Sequence, residues 1–463
     1  MTHVVVIGAY GSAGVAVAEA LADEPAVDRL TLVDDGEPGG GLCILRGCMP
    51  SKEVLSAAAH RFGARHDHRV RGVPEVDLGE TVATKEDHVL GFAEHRRAAV
   101  HDLADREGVE FRHETARFVD DHTVAIGGDE LEADYVVVAT GSTVNVPDLP
   151  GIEDIEYMTS ADTLDATEFG DSGIVMGFGY IGIEMAPYLS EAAGMDVTVI
   201  EHDARPLDRA PDAFGDELLS IYREEFGIEV LTRTYEQAVE PAGGGVRMTV
   251  ESDGETATID ADELFVFTGR RPSLDGLGLE HTAVEPGEGW VEDTMQTRDD
   301  PHVFAPGDVN GERMLLHMAK EEGYLAAANV RRHLRGEPLE SYDPLHHAVM
   351  FSGAAVYPYA SLGLTGAEAR EAGYDPVVAR RWAEDDGVFK TKDAPRGLAE
   401  LVVARDGTVL GYRGLHLHAD VMAKTMQVVI EGGMGVESVP DRAYHPTTPE
   451  IIDGLLRDAK AEL

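Results

Sequence analysis

The stretch Val4-Val5-Val6-Ile7-Gly8-Ala9-Tyr10-Gly11-Ser12-Ala13-Gly14 decides the fold. Four apolar residues read as a buried strand, the glycines as a tight turn, and residues 15–22 as the helix that follows. A second strand over 30–33 ends in Asp34. Strand, glycine turn, helix, strand and acid is the order of a dinucleotide-binding unit. A pyrophosphate rests on the unsatisfied N–H groups at the helix N-terminus, and the acid holds a ribose hydroxyl. The spacing Gly8, Gly11, Gly14 departs from G-x-G-x-x-G by one inserted residue, Tyr10.

The signature returns further along, the only large-scale internal repeat. A strand over 173–176 enters Gly177-Phe178-Gly179-Tyr180-Ile181-Gly182, where the spacing is unbroken, and the strand over 197–200 ends at Glu201. Two fingerprints imply two dinucleotides, hence an α/β fold with two Rossmann-like domains. Glu201 suits the 2′-hydroxyl of NADH, whereas His202, Arg205 and Arg209 just beyond it suit the 2′-phosphate of NADPH.

Both cysteines of the chain lie in Gly39-Gly40-Gly41-Leu42-Cys43-Ile44-Leu45-Arg46-Gly47-Cys48-Met49-Pro50-Ser51-Lys52. A structural disulfide across so short a loop stabilises little. Zinc wants a ligand set that no other cysteine supplies. Pro50 suits a helix start after Cys48, and the positive helix end with Arg46 favours a thiolate, lowering a pKa of about 8.5. The pair therefore reads as a redox-active dithiol.

This motif resembles the active site of the FAD-dependent pyridine nucleotide-disulfide oxidoreductases, the family of glutathione reductase, dihydrolipoyl dehydrogenase and mercuric reductase. The resemblance covers essentially the whole chain. It implies that the first fingerprint (Gly8, Gly11, Gly14, Asp34), with Gly41, binds FAD, and that the second (Gly177, Gly179, Gly182) binds NAD(P)H with Tyr180 gating the nicotinamide pocket. It pairs Lys52 with Glu184 beside the flavin ring. It matches Thr140-Gly141 to a passage of chain close to FAD, Gly269-Arg270, also among the cofactor-binding residues, to the return from the NAD domain to the FAD domain, and Asp308 to the acid that holds the ribityl hydroxyls. His445-Pro446-Thr447-Thr448-Pro449-Glu450 resembles the family's His–Glu dyad, in which the carboxylate raises the basicity of a general acid/base. By resemblance, His445 and Glu450 reach the dithiol of the other subunit, Cys48 lies against the flavin, and Cys43 attacks the substrate. Mercuric reductases of the family carry an extra C-terminal cysteine pair, which is missing here.

The expected layout is an FAD-binding domain over 1–150 and 271–343, an NAD(P)-binding domain over 151–270, and a C-terminal α+β dimerisation domain over 344–463. Residues 53–116 read as helical with solvated polar faces, and 110–141 as strands. His60, His66, His68, His88 and His95 form no metal-ligand spacing. His416 and His418 read as structural residues on one strand face. No metal is expected.

The 86 acidic residues against 38 basic ones, net −48, are spread along the chain. Such a charge opposes nucleic-acid and anionic-membrane binding, and its self-repulsion at low salt points to a halophile's cytoplasm. The N-terminus has no signal-peptide pattern. The expected enzyme is a cytoplasmic homodimer reducing a small-molecule disulfide with NADPH. The leading substrate is bis-γ-glutamylcystine, the halophilic counterpart of glutathione disulfide. The alternatives are an NAD-dependent dihydrolipoyl dehydrogenase, a mercuric reductase and a flavin-binding redox sensor.

Overall fold

The computed structural model describes residues 1–463 as two compact units. The first comprises 1–50, 84–145 and 270–344. Its parallel sheet runs in the order Val303–Phe304, Tyr135–Val138, His3–Ile7, Arg29–Val33, Val109–Arg112. The central strand is buried along its whole length, as expected when helices cover both faces of a parallel sheet. The helices Ser12–Leu21 and Leu316–Leu334 pack closely: a Cβ on Gly323 would fall 2.5 Å from the Ala13 carbonyl oxygen. A small antiparallel sheet of Ala116–Asp120, Thr123–Ile126 and Asp129–Glu132 completes the unit.

The second unit comprises 51–83, 146–269 and 345–463. Its parallel sheet runs Glu229–Leu231, Asp196–Ile200, Ser172–Met176, Glu263–Val266, beside an antiparallel meander over Thr234–Ala242, Gly245–Ser252 and Glu255–Ala261. A five-stranded antiparallel sheet, His347–Met350, Tyr359–Gly363, Val409–Leu415, Leu398–Val403, Val377–Trp382, is covered by the helices Ala419–Glu431 and Glu450–Glu462. No helix is long and apolar enough to cross a membrane.

Several local expectations move. The first helix begins at Ser12 because Gly11 is its N-cap. The helical range 53–116 is two helices, Cys48–His66 and Leu78–Ala104, followed by the strand Val109–Arg112. Gly72 and Pro74 break the pattern, and Asp77 restarts it by accepting the Glu80 N–H at 2.9 Å. His416 and His418 lie beyond the strand's end at Leu415, and His418 has φ +69°. His416 is fully buried between the Tyr412 hydroxyl and the Leu417 carbonyl, and burial depresses its pKa to about 4.

Candidate active site

In the first unit, Gly8 has φ +93°, and a Cβ there would lie 2.3 Å from the Ala139 carbonyl oxygen. A Cβ on Gly14 would meet the Gly8 carbonyl oxygen at 2.1 Å, so only glycine lets helix and strand touch. No side chain caps the helix at Gly11, which leaves its first N–H groups for an anion. Asp34 accepts the Tyr10 and Gly36 N–H groups, each at 2.9 Å. Burial raises its pKa, and those two bonds oppose the rise.

At the same end of the sheet, Gly141 has φ +70° and open space where a Cβ would be. The Thr140 hydroxyl donates to the Ser273 carbonyl at 2.7 Å. Asp308 accepts from the Ser142 hydroxyl at 2.7 Å, and Arg270 donates to that hydroxyl at 2.8 Å and to the Ser142 carbonyl at 2.6 Å. Burial raises the Asp308 pKa and lowers that of Arg270. Glu322, 2% exposed, accepts the Gly307 N–H at 2.7 Å and Asn310 Nδ2 at 2.9 Å, bracketing Asp308. Sequence reasoning missed Ser142 and Glu322. Glu322 was visible as an acid on the buried stripe Met318, Ala319, Gly323, Ala326.

In the second unit the pattern repeats without the insertion. Gly177 has φ +93°, a Cβ on Gly182 would lie 2.1 Å from the Gly177 carbonyl oxygen, and Gly179 is an N-cap with no side-chain cap. Tyr180 opens the helix 45% exposed. Glu201 accepts the Asp203 N–H at 2.7 Å, and burial raises its pKa. The two basic residues nearest it in sequence are engaged. His202 Nε2 lies 2.6 Å from Glu236 and stacks on Tyr235, while Arg205 Nε donates to Asp216 at 2.5 Å. Gly269, φ +89°, has open space around it.

The expected charge pair forms: Lys52 Nζ lies 2.9 and 2.7 Å from the Glu184 oxygens. Glu184 also accepts the Phe351 N–H at 3.0 Å, and the ammonium sits 4.8 Å from the centre of the Phe351 ring. Both charges are thereby fixed in place.

Both cysteines are thiols, with no disulfide between them, Cys43 half-buried and Cys48 exposed. Cys43 belongs to the short helix Leu42–Arg46, and Cys48 begins the helix Cys48–His66, so Pro50 is its third residue and not its first. Proline is tolerated there because the first-turn N–H groups have no intrahelical partner. Cys43 departs from the expectation of a lowered thiol. Its hydrogen bond to Cys48 and its burial push its pKa up, and Arg96 opposes this. The positive end of the helix Cys48–His66 lies at Cys48.

His445 Nδ1 lies 3.0 and 3.1 Å from the Glu450 oxygens, and Glu450 Oε1 also accepts the Thr447 N–H at 3.0 Å. Those bonds, the backbone one first, hold the Glu450 pKa below the usual carboxylate range. The His445 side chain is 78% exposed, with Nε2 left to act outward.

Residues 2–323 match the pyridine nucleotide-disulphide oxidoreductase family, and residues 350–455 match that family's dimerisation domain. The chain is 30% identical to dihydrolipoyl dehydrogenase of Haloferax volcanii over 97% of its length and 94% of that protein's. It is 31% identical to mercuric reductase of Streptomyces lividans over 94% of its length and 92% of that protein's. The HOCl-induced flavoprotein disulfide reductase RclA of Escherichia coli has the same fold, with a TM-score of 0.82 at 23% identity over 99% of both chains. The acidic composition fits the haloarchaeal relatives. With paired dinucleotide fingerprints, a Gly-flanked dithiol and a C-terminal His–Glu dyad, the chain belongs to the pyridine nucleotide-disulphide oxidoreductases, FAD- and nicotinamide-dependent flavoenzymes.

Proposed function

We propose that the protein is an NAD(P)H:disulfide reductase of a low-molecular-weight thiol, with bis-γ-glutamylcystine as its substrate. The observation that carries the chemistry is the Gly-flanked pair Cys43–Cys48 at a helix start, in a chain that has no other cysteine.

The residues fit FAD. The uncapped helix at Gly11 and the glycine contacts at Gly8 and Gly14 suit a pyrophosphate, with Asp34 for a ribose and Asp308, aimed by Ser142 and Glu322, for the ribityl hydroxyls. Thr140, Gly141, Gly41 and Arg270 belong to the same proposed surface. Residues 1–150 and 271–343 would hold FAD, 151–270 the nicotinamide coenzyme, and 344–463 the second subunit. When bound, FAD would supply the relay that carries a hydride's electron pair from the coenzyme to the Cys43–Cys48 disulfide.

The remaining chemistry belongs to side chains. His445 Nε2 of the second subunit takes the Cys43 proton, Cys43 attacks one sulfur of the substrate disulfide, that S–S bond breaks, and the imidazolium returns the proton to the departing thiolate. Cys48 then attacks Cys43, releasing the second thiol and re-forming Cys43–Cys48. By accepting from Nδ1–H, Glu450 leaves the outward Nε2 as the nitrogen that takes up and releases a proton. Lys52 and Glu184 offer the flavin ring a fixed charge pair.

The coenzyme reading moves from NADPH towards NADH, because carboxylates already engage His202 and Arg205, and Glu201 is left to meet a 2′-hydroxyl. That same observation favours a second reading, an NAD-dependent dihydrolipoyl dehydrogenase. The deciding experiment measures kcat/KM at molar KCl for bis-γ-glutamylcystine, lipoamide, glutathione disulfide and Hg(II), each with NADH and NADPH. Preference for bis-γ-glutamylcystine supports the proposal; preference for lipoamide replaces it with the second reading.

A further inference from the structure

Tyr10, the residue inserted in the first fingerprint, is not needed to bind a dinucleotide, since Gly177–Gly182 forms the same turn without it. Its side chain turns inward and is 3% exposed. The ring packs on Phe111, with centroids 5.1 Å apart, and its hydroxyl meets His101 Nε2 at 2.8 Å. Its other side presses on the chain that leads into the dithiol. A Cβ on Gly39 would lie 2.1 Å from the Tyr10 ring, and a Cβ on Gly41 would lie 3.0 Å from the Tyr10 carbonyl oxygen. Gly41 is the N-cap of the helix that holds Cys43.

One face of the helix Leu78–Ala104 closes this arrangement. Arg96 Nη1 donates to the Tyr10 carbonyl at 3.2 Å, and Arg97 Nη1 donates to the Gly39 carbonyl at 3.0 Å. Ala93 lies beneath Gly40, where a Cβ would be 3.1 Å from its methyl. Residues 93, 96, 97 and 101 share a face by helical spacing. This part of the helix therefore grips both glycine-rich turns and is not the solvated surface its polarity suggested. Arg96 is also the cation that opposes the rise in the Cys43 pKa.

We propose that Tyr10 is a positioning residue of the dithiol: it ties the turn that carries Cys43 to the first dinucleotide turn, so that the loop holding the flavin's nucleotide sets the place of Cys43. This rests on reading Cys43–Cys48 as redox-active. The insertion then has a function separate from nucleotide binding, and the three glycines at 39–41 have a reason to be small. Gly39 makes room for an aromatic ring, Gly40 for a helix, and Gly41 for a left-handed turn against the Tyr10 carbonyl.

The test uses the FAD-loaded enzyme with Tyr10→Ala, Tyr10→Phe and Gly39→Ala, plus the double variant Tyr10→Ala/Gly39→Ala. Three quantities are read: disulfide turnover, NAD(P)H-to-dye turnover (which needs the flavin but not the dithiol), and the dithiol midpoint potential in a thiol redox buffer. A displacement of about 1 Å at a reacting centre costs on the order of a hundredfold. Tyr10→Ala should therefore lower disulfide kcat far more than dye turnover and shift the dithiol potential, while Tyr10→Phe, which keeps the ring, restores both. Gly39→Ala should reproduce the defect from the other side of the contact, and the double variant should be less impaired than the two losses combined. Equal loss of both turnovers, or no loss in either, overturns the proposal. So does an unchanged dithiol potential in Tyr10→Ala. Should Tyr10→Ala not fold, Gly39→Ala and Tyr10→Phe carry the same comparison. A wild-type enzyme that accepts only the flavin's electron pair would instead overturn the dithiol reading itself.

Discussion

Glu322 holds a buried carboxyl between two neutral donors, the Gly307 N–H and the Asn310 amide, and desolvation raises its pKa to about 7. Asp308 adds to the rise, while Arg313 and both hydrogen bonds oppose it. A carboxyl whose folded pKa exceeds its unfolded value stabilises the fold fully only below the unfolded value, and that stability is lost as pH rises through about 7. The FAD-free protein should accordingly lose roughly 3 kcal/mol between pH 4.5 and 8 from this group. Glu322→Gln should flatten the slope, read as melting temperature against pH. A steeper slope in the variant would contradict the assignment. Cys43→Ser makes a second prediction: disulfide turnover is abolished while NAD(P)H-to-dye turnover survives. Retained disulfide turnover would remove Cys43 from the chemistry. The dithiol and the dyad were legible in sequence because each role needs particular residue types at close spacing. Glu322 and Ser142 were not, because one buried acid or hydroxyl acquires its meaning only from the turn packed on it.

At the scale of elements, the glycines of the second fingerprint separate into two kinds. A Cβ on Gly182 meets the Gly177 carbonyl oxygen at 2.1 Å, whereas one on Gly179 meets nothing within 4 Å. Gly182→Ala should cost about 1–3 kcal/mol by overpacking. Gly179→Ala should keep the melting temperature and raise the KM for the coenzyme, since the approach of a pyrophosphate is what its missing side chain permits. Equal melting losses in the two variants would contradict this division. The final helix, Glu450–Glu462, starts at the dyad's acid, where the helix dipole favours a negative charge. Glu450→Gln should reduce disulfide kcat on the order of a hundredfold, as expected for a disabled general acid. A change in KM alone would mean that Glu450 only shapes the loop. Element type followed from periodicity at both fingerprints. The helix Leu78–Ala104 was misjudged because its gripping face is built from arginine and histidine, which a polarity pattern assigns to solvent.

For the whole molecule, net charge and the C-terminal surface make the strongest demands. With a charge of −48 the fold should need screening, so melting temperature should rise steeply from tens of millimolar to molar KCl. Full stability at low salt would sink the halophilic reading. The dimerisation domain exposes Val421, Val428 and, at 90%, Tyr444 beside His445, apolar surface that a second subunit would cover. The central claim is that Cys43–Cys48 is a redox disulfide fed through FAD, and an anaerobic reductive titration tests it most directly. Wild type should take up one electron pair for the flavin and a second for the disulfide, with Cys43 and Cys48 becoming alkylatable, whereas Cys43→Ser takes up the flavin's pair alone. Uptake of a single pair by both proteins would contradict it.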